Sequence, residues 1–392
     1  MRGAAGGANL LALRSHNTAL VLDLLRTAGG AGISRLELAE RTGLTPQAVS
    51  KITARLRGEG LAAEAGRRAS TGGKPRTVLR LVPGAGHALG VHLDRDELRA
   101  VLVDLDGTVV AERRAPLDLG AGAETVLEGV ARAAEELAAE GLGHLVAEDA
   151  RVPGAALAAA PTLLGLGVAL PGPLDHVRGV LHRITGFPGW DGYPLREALE
   201  RRMGVPVVVD KDTNAAALGL AVGGAGGEAA GAGARGGSFA YLHLGTGLGA
   251  GLVFGGGVHR GARTGAGEFG HQVVQLDGPP CTCGARGCIE ALCLAAVASG
   301  DLAEAARVLG TGAANLAGLL DIDLVLLGGR TVAAAPEPFV HGVGAVLDAR
   351  ARREGGHDGP VPVRLAPAGA RGVAEGAAQL LLAPLFGRGE GG

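Results

Sequence analysis

The sequence predicts an α/β protein that opens with a winged helix-turn-helix and carries a zinc-bound loop in its second half. Three observations predict this. Residues 1–82 hold 13 Lys or Arg against 5 Asp or Glu and contain three helical stretches, the second and third with cap residues. After Pro83 strand-like and helix-like segments alternate, the pattern of an α/β body. Within the run HQVVQLDGPPCTCGARGC stand His271, Cys281, Cys283 and Cys288, a Cys₃His donor set.

Length and composition bound the rest. A chain of 392 residues exceeds one compact core and predicts two or three domains. Apolar content of 47% suffices for burial, and a charged content of 19% argues against wholesale disorder. Aromatics supply only 2%, so the cores must be built from Leu, Val and Ala. Net charge is near zero, but beyond residue 82 the balance reverses to 24 basic against 34 acidic residues. A basic module on an acidic body predicts that the first part meets a polyanion.

Arg14, Ser15 and His16 interrupt the first apolar run, so no secretory signal is read there. The longest uncharged stretch, Val152 to Leu174, is broken by four prolines and suits a loop and a buried strand rather than a membrane span. Clustered cysteines with metal spacing fit a reducing compartment, so a cytoplasmic protein without membrane contact is expected.

In the basic module, Asn17 to Thr27 places apolar residues at 20, 21, 24 and 25, a helical stripe ended by Gly29-Gly30. Ser34 with Glu37 three residues on forms a capping box for a second helix, which Gly43 stops. Thr45 caps a third helix, with Pro46 at its first position, where a missing N–H costs nothing. Val49, Ile52 and Leu56 face inward on that helix, leaving Gln47, Ser50, Lys51 and Arg55 outside. Two short strands, Leu61 to Glu64 and Thr77 to Leu81, flank a basic loop carrying Arg67, Arg68, Lys74 and Arg76. Helix, glycine turn, helix and a basic wing predict a module whose later helix enters the major groove of double-stranded operator DNA. Gln47, Ser50 and Lys51 are the candidates for base edges. Thr45, Arg55, Arg67, Arg68, Lys74 and Arg76 complete the candidate DNA surface, the loop arginines through phosphate contacts. A solvated bundle used for protein contacts shares the periodicity but does not explain the charge excess.

In the body, His87 to Leu93 and Leu98 to Val103 read as paired strands, with a turn at Asp106-Gly107. Ala123 to Ala139 is a helix, Leu163 to Leu170 a buried strand and Pro194 to Met203 a helix. Val205 to Val209 is a strand running into DKDTNAAA, with polar groups where strand meets helix. Gly223 to Gly237 is nearly all Gly and Ala and reads as a flexible insertion. Ser238 to Leu244 and Leu248 to Phe254 are strands joined through Gly245-Thr246-Gly247.

The metal loop follows. Cys-x-Cys with Gly284 and Gly287 lets a short loop wrap an ion, and four protein ligands leave no open position for water, so a structural Zn²⁺ is expected. Four packed, metal-free side chains are the plain alternative, but all four cysteines of the chain fall between 281 and 293. Cys293 is left over and reads as a small buried hydrophobe.

LHLGTGLGAG, GAGEFGH at 265–271 and CTCGARGCIE at 281–290 together resemble the ROK family of repressors, open reading frames and sugar kinases. With the preceding winged helix, the chain is similar to the regulator branch that includes xylose and N-acetylglucosamine repressors. The resemblance implies a two-lobed actin-like, hexokinase-like (ribonuclease H-like) fold with sugar in the cleft. Its boundaries would be 1–82 for the DNA-binding domain, 83–208 for lobe 1, with a C-terminal helix at about 371–388 returning to it, and 209–370 for lobe 2. It implies that Glu268 and Glu290 accept hydrogen bonds from sugar hydroxyls and that His271 both ligates zinc and faces the sugar. Lys211, Asp212 and Asn214 complete the ligand set, Asp212 standing where the kinases keep their base.

Departures from the family pattern favour a sensor over an enzyme. ROK kinases cradle ATP phosphate on a D-x-G-x-T turn, whereas here the turn is Leu93-Asp94-Arg95-Asp96-Glu97, without Gly or Thr. Carboxylates and bulky Cβ atoms replace the phosphate nest, which should abolish phosphoryl transfer. Gly245-Thr246-Gly247 and Leu327-Gly328-Gly329 survive. Lys211, where the family usually has Asn, is expected either to pair with Asp212 or to favour a sugar phosphate or sugar acid. The expected function is a sugar-responsive transcriptional regulator, a repressor of carbohydrate genes, working as a homodimer or homotetramer. A ROK sugar kinase with an attached DNA-binding module is the alternative, and a protein-binding assembly module the plainer one.

Overall fold

The computed structural model describes residues 16–68, 76–149, 162–184, 186–223, 237–355 and 359–388. The loop around Lys74 and most of the Gly/Ala insertion lie outside the described residues.

The N-terminal module contains α1 (His16–Ala28), β1 (Ile33–Ser34), α2 (Arg35–Thr42), α3 (Pro46–Gly58), β2 (Ala62–Arg68) and β3 (Arg76–Leu81). Its strands pair in the order β1-β3-β2. The capping box at Ser34 forms in both directions, Glu37 N–H to Ser34 Oγ at 3.3 Å and Ser34 N–H to Glu37 Oε2 at 2.8 Å. Gly43 ends α2 in the left-handed region, φ 70°, and Thr45 Oγ1 accepts the Ala48 N–H at 3.2 Å to start α3. The wing is longer than the sequence suggests. Pairing continues past a bulge between Glu64 and Gly66 to Arg68 opposite Arg76, so Arg67, Arg68 and Arg76 sit on strands rather than in a loop.

The body is two sheets of the same topology. The first contains β4 (Gly86–Leu93), β5 (Glu97–Asp104) and β6 (Val109–Pro116), followed by α4 (Ala123–Asp149), β7 (Thr162–Leu170), the short pair β8 (Leu174–Asp175) and β9 (Val180–Leu181), α5 (Leu195–Met203) and β10 (Val207–Lys211). Its order is β10-β7-β4-β5-β6, an antiparallel meander extended by two parallel strands. The turn at Asp106-Gly107 thus leads into a third strand, β6, that the sequence reading does not include. β10 pairs with β7 through Lys211, so the expected boundary at 208/209 cuts through a strand of lobe 1.

After α6 (Asp212–Val222) come β11 (Phe239–Leu244), β12 (Leu248–Phe254), β13 (Gly257–Val258), α7 (Ile289–Ala298), α8 (Leu302–Leu320), β14 (Leu324–Gly328), α9 (Arg330–Ala334), α10 (Pro336–Glu354) and β15 (Val363–Leu365). The order β13-β12-β11-β14-β15 repeats the meander-plus-parallel plan. Each sheet buries its own aliphatic core.

α11 (Gly372–Leu382) holds the halves together. It approaches β4, β7 and α6 so closely that only glycine fits. A Cβ on Gly90 would lie 2.0 Å from the Ala374 carbonyl oxygen, and one on Gly167 1.9 Å from that of Ala377. On the other side, a Cβ on Gly376 would lie 2.0 Å from the Ala215 oxygen in α6.

The end of α11 and the chain beyond it meet the N-terminal module. Leu381, Leu382, Leu385 and Phe386 share one apolar core with Val21, Leu22 and Leu25 of α1. Arg388 donates to both carboxylate oxygens of Asp23, at 3.1 and 2.8 Å, and the Arg26 guanidinium lies 4.4 Å from the Phe386 ring centroid.

Candidate ligand cleft and metal centre

Between the lobes opens a cleft lined from both sides. Lobe 1 contributes Asp94 and Arg95 from the β4–β5 turn, Gly172, and Lys211 at the end of β10. Asp212 opens α6, where a helix N-terminus meets the cavity. Lobe 2 contributes His243, Thr246, Gly247, Glu268, His271 and Glu290.

Glu290 stands in the first turn of α7, directly after Cys288, and is 8% exposed. Its Oε2 accepts the Leu248 N–H at 2.9 Å. Gly247 allows this approach, because a Cβ there would lie 3.2 Å from the same oxygen. Glu268 is more open and accepts from Lys211 Nζ at 3.0 Å. Asp212 Oδ1 accepts its neighbour's N–H, Thr213, at 2.6 Å.

Lys211 therefore does not pair with Asp212. Its ammonium is 3% exposed and turns to Glu268 and the Ala266 carbonyl across the cleft. Asn214 is also not a cleft residue. One turn along α6 it is fully buried beneath the floor, where its Nδ2 donates to Asp210 Oδ1 at 2.9 Å. Asp210 in turn accepts from Arg260 Nε at 2.7 Å, so Asn214 supports the strand-to-helix junction from below.

The β4–β5 turn is tied to the opposite lobe. Thr246 Oγ1 donates to Asp94 Oδ1 at 2.7 Å, and Arg330 reaches Asp96 Oδ1 at 2.9 Å and Asp94 Oδ2 at 4.0 Å. Burial alone would raise the Asp94 carboxyl, but the bonds from Thr246 and the Arg95 N–H, with His92 and Arg330 nearby, bring it below its ordinary value. The sequence reading treats this turn as repulsive. In the structure Asp96 and Glu97 are matched by Arg330 and by Arg99. The acids of this turn are therefore paired rather than free.

Beneath the turn, burial lowers His92 to about 4, so this imidazole is neutral. Its ring centroid lies 6.2 Å from that of His243, whose Nδ1 is 2.9 Å from the Tyr241 hydroxyl. Neither Thr246–Asp94, Arg330 nor His243 was among the expected site residues. Partners 152 positions apart leave no local signal.

The expected metal ligands converge. The donor atoms of His271, Cys281, Cys283 and Cys288 lie within 4.8 Å of one another. Cys281 Sγ to His271 Nδ1 and Cys283 Sγ to Cys288 Sγ are both 3.7 Å. A tetrahedron with metal–sulfur bonds of about 2.3 Å has sulfur–sulfur edges of about 3.8 Å, so the four donors fit a metal ion. The loop closes tightly, since a Cβ on Gly287 would sit 1.6 Å from the Gln275 oxygen and Gly287 has φ 67°. His271 faces the thiols with Nδ1 and also lines the cleft, which leaves Nε2 for the cavity. Cys293 is fully buried in the core, its thiol pushed up to about 12.

On α3, Gln47, Ser50 and Lys51 are exposed along one face while Val49, Thr53 and Leu56 are buried. Thr45 is engaged in capping, and Arg55 Nη2 donates to Thr18 Oγ1 at 2.6 Å, bracing α3 against α1. Arg67 and Arg76 are exposed on the wing.

The ROK family profile matches residues 88–298. The chain belongs to the ROK family. A putative xylose repressor of Caldicellulosiruptor sp. (strain Rt8B.4) is 30% identical over 261 residues, 66% of this chain and 59% of that protein. The DNA-binding transcriptional dual regulator NagC of Escherichia coli K12 is 30% identical over 290 residues, 74% of this chain and 65% of that one. The match thus spans about three fifths of these curated ROK relatives. Among solved structures, a ROK hexokinase from Thermus thermophilus has 31% identity and a TM-score of 0.56, covering 74% of this chain and 96% of that one. A ROK transcriptional regulator homologous to E. coli MLC covers 95% of this chain and 97% of its own, with 20% identity and a TM-score of 0.69, a likeness of fold. No helix among the described residues is long and apolar enough to cross a membrane.

Proposed function

We propose that this ROK protein is a sugar-responsive, DNA-binding transcriptional regulator, a repressor of carbohydrate genes whose body senses ligand without catalysis. The observation that carries this reading is the joint between the basic module and the cleft. α11 rests on both lobes through glycine contacts, and the segment after it shares a core with α1. A sugar that closes the cleft rotates one lobe against the other, and α11 passes the motion to the module. In a homodimer or homotetramer the spacing of two winged helix-turn-helix units then no longer fits operator half-sites. Relatives named as repressors support this, as does the exposed polar face of α3.

The metal is proposed to be a structural Zn²⁺. Bound, it fixes the start of α7 through Cys288 and so the position of Glu290, and it holds His271 with Nε2 toward the sugar. Asp212, Glu268 and Glu290 would take the sugar hydroxyls.

The kinase reading draws support from the hexokinase likeness and from Asp212, which pairs with no cation among the described residues. The Asp94–Thr246 bond opposes it by occupying the hydroxyl of the phosphate turn. Fluorescence anisotropy with the protein's own promoter DNA tests the proposal. Binding that weakens with salt, is lost in Arg67→Ala/Arg68→Ala and is released by a sugar is expected. Sugar-insensitive binding, or none, would overturn it.

A further inference from the structure

Two cations, Lys211 and Arg95, line the cleft, a third, Arg330, pairs with the β4–β5 turn beside it, and the three differ in what they hold. Lys211 is engaged by Glu268 and the Ala266 carbonyl. Arg330 is engaged by Asp96, with Asp94 at 4.0 Å. Arg95 lines the same cavity, yet its guanidinium makes no hydrogen bond or ion pair with any described residue. The group lies at 5.7 Å from the Phe187 ring centroid. One guanidinium nitrogen is 3.7 Å from where a Cβ of Gly186 would stand, and the other 3.9 Å from the corresponding point on Gly247. It therefore spans from lobe 1 toward lobe 2 at the mouth of the phosphate turn.

The acids of the cavity are divided in a complementary way. Asp94 takes Thr246 and the Arg95 N–H, Glu268 takes Lys211, and Glu290 takes the Leu248 N–H. Among the described residues Asp212 takes only the adjacent Thr213 N–H. The cleft thus offers acceptors for hydroxyl protons and, beside Gly247, a planar fork of N–H donors that no described residue uses. A neutral polyol satisfies the acids but leaves the fork without the charged acceptor it binds best.

We propose that the ligand is a sugar bearing an anionic group, a phosphate or a carboxylate, and that Arg95 is the residue that reads it. This rests on the sugar-sensor reading above and moves the anion-recognising role from Lys211, which is already paired, to Arg95. Three features favour Arg95: the Phe187 ring 5.7 Å away, glycines on both sides that leave room, and no competing carboxylate within ion-pair distance among the described residues.

The test uses the full-length, zinc-loaded protein and three neutral sugars (glucose, xylose and N-acetylglucosamine), each with its phosphate and its uronic or aldonic acid. Calorimetric titration is run on wild type, Arg95→Gln and Arg95→Lys, with ligand-free melting temperatures confirming that the variants fold. Wild type should bind one anionic form at least tenfold tighter than its neutral parent, the phosphate and acid arms showing which anion is read. Arg95→Gln should lose that preference, a drop of roughly ten- to hundredfold for the anionic form with the neutral sugar unchanged, and Arg95→Lys should keep part of it. Equal binding of neutral and anionic forms, or a preference that survives in Arg95→Gln, overturns this proposal while leaving the sensor reading intact. If no sugar of either charge binds, the sensor reading fails and this inference with it.

Discussion

Asp94 of the first lobe accepts a 2.7 Å hydrogen bond from Thr246 of the second. The bond ties together the two turns that in a kinase would grip phosphate from opposite sides, and Arg330 adds a second strut to Asp96. In Thr246→Val the carboxylate loses its partner from the second lobe's turn, and the ligand-free protein should be destabilised by about 1–2 kcal/mol. Chemical denaturation of both proteins checks this. An unchanged midpoint would show that the strut carries no weight.

The buried imidazole below the same turn makes stability depend on pH. Burial puts His92 at about 4 in the folded state against 6.5 for the free side chain. Between those values the unfolded chain binds a proton that the folded chain refuses, so stability is full above 6.5 and declines as the pH falls toward 4. The loss due to this one group is about 3 kcal/mol at most. Thermal melts from pH 7.5 to 4.5 should show a shallower decline for His92→Leu than for wild type. His87 and His176, which burial also lowers, contribute in the same direction.

The metal loop should control both the fold and the cleft, because Cys288 and Glu290 are two residues apart. Chelation, or Cys288→Ser, should lower the melting temperature and abolish the sugar-induced shift in melting temperature together. Mass spectrometry of the native protein should show one zinc per chain. A sugar response that persists in zinc-free protein contradicts the proposed role.

The hinge is predicted to tolerate nothing larger than glycine. Gly167→Ala places a methyl 1.9 Å from the Ala377 oxygen, backbone against backbone, so α11 must shift. A loss of about 3 kcal/mol or more is expected, together with weakened coupling between sugar and DNA. Soluble yield and melting temperature of Gly167→Ala and Gly376→Ala provide the check.

Much of this molecule was legible in its residues. The caps at Ser34 and Thr45 and the Cys₃His spacing are local features, and they formed where chemistry at short range demands. The acids Asp212, Glu268 and Glu290 also came together in one cleft. Long-range pairings were not legible. Lys211 has Asp212 beside it in sequence, but the strand-to-helix junction sends its side chain across the cleft to Glu268. Asn214 carries the polarity of a ligand residue, yet the helical turn places it under the floor on Asp210. β6 carries Glu112, Arg113 and Arg114 in succession, which hides its apolar signal on an edge strand whose outer positions are solvated.

The central claim is that this ROK body binds sugar but does not spend nucleotide on it. The most direct measurement is ADP release in a coupled assay with ATP, magnesium and the sugar that most raises the melting temperature. The account predicts a sugar-dependent melting shift with no ADP above the protein-free blank. Turnover at rates usual for kinases, about 1 per second or faster, would contradict it.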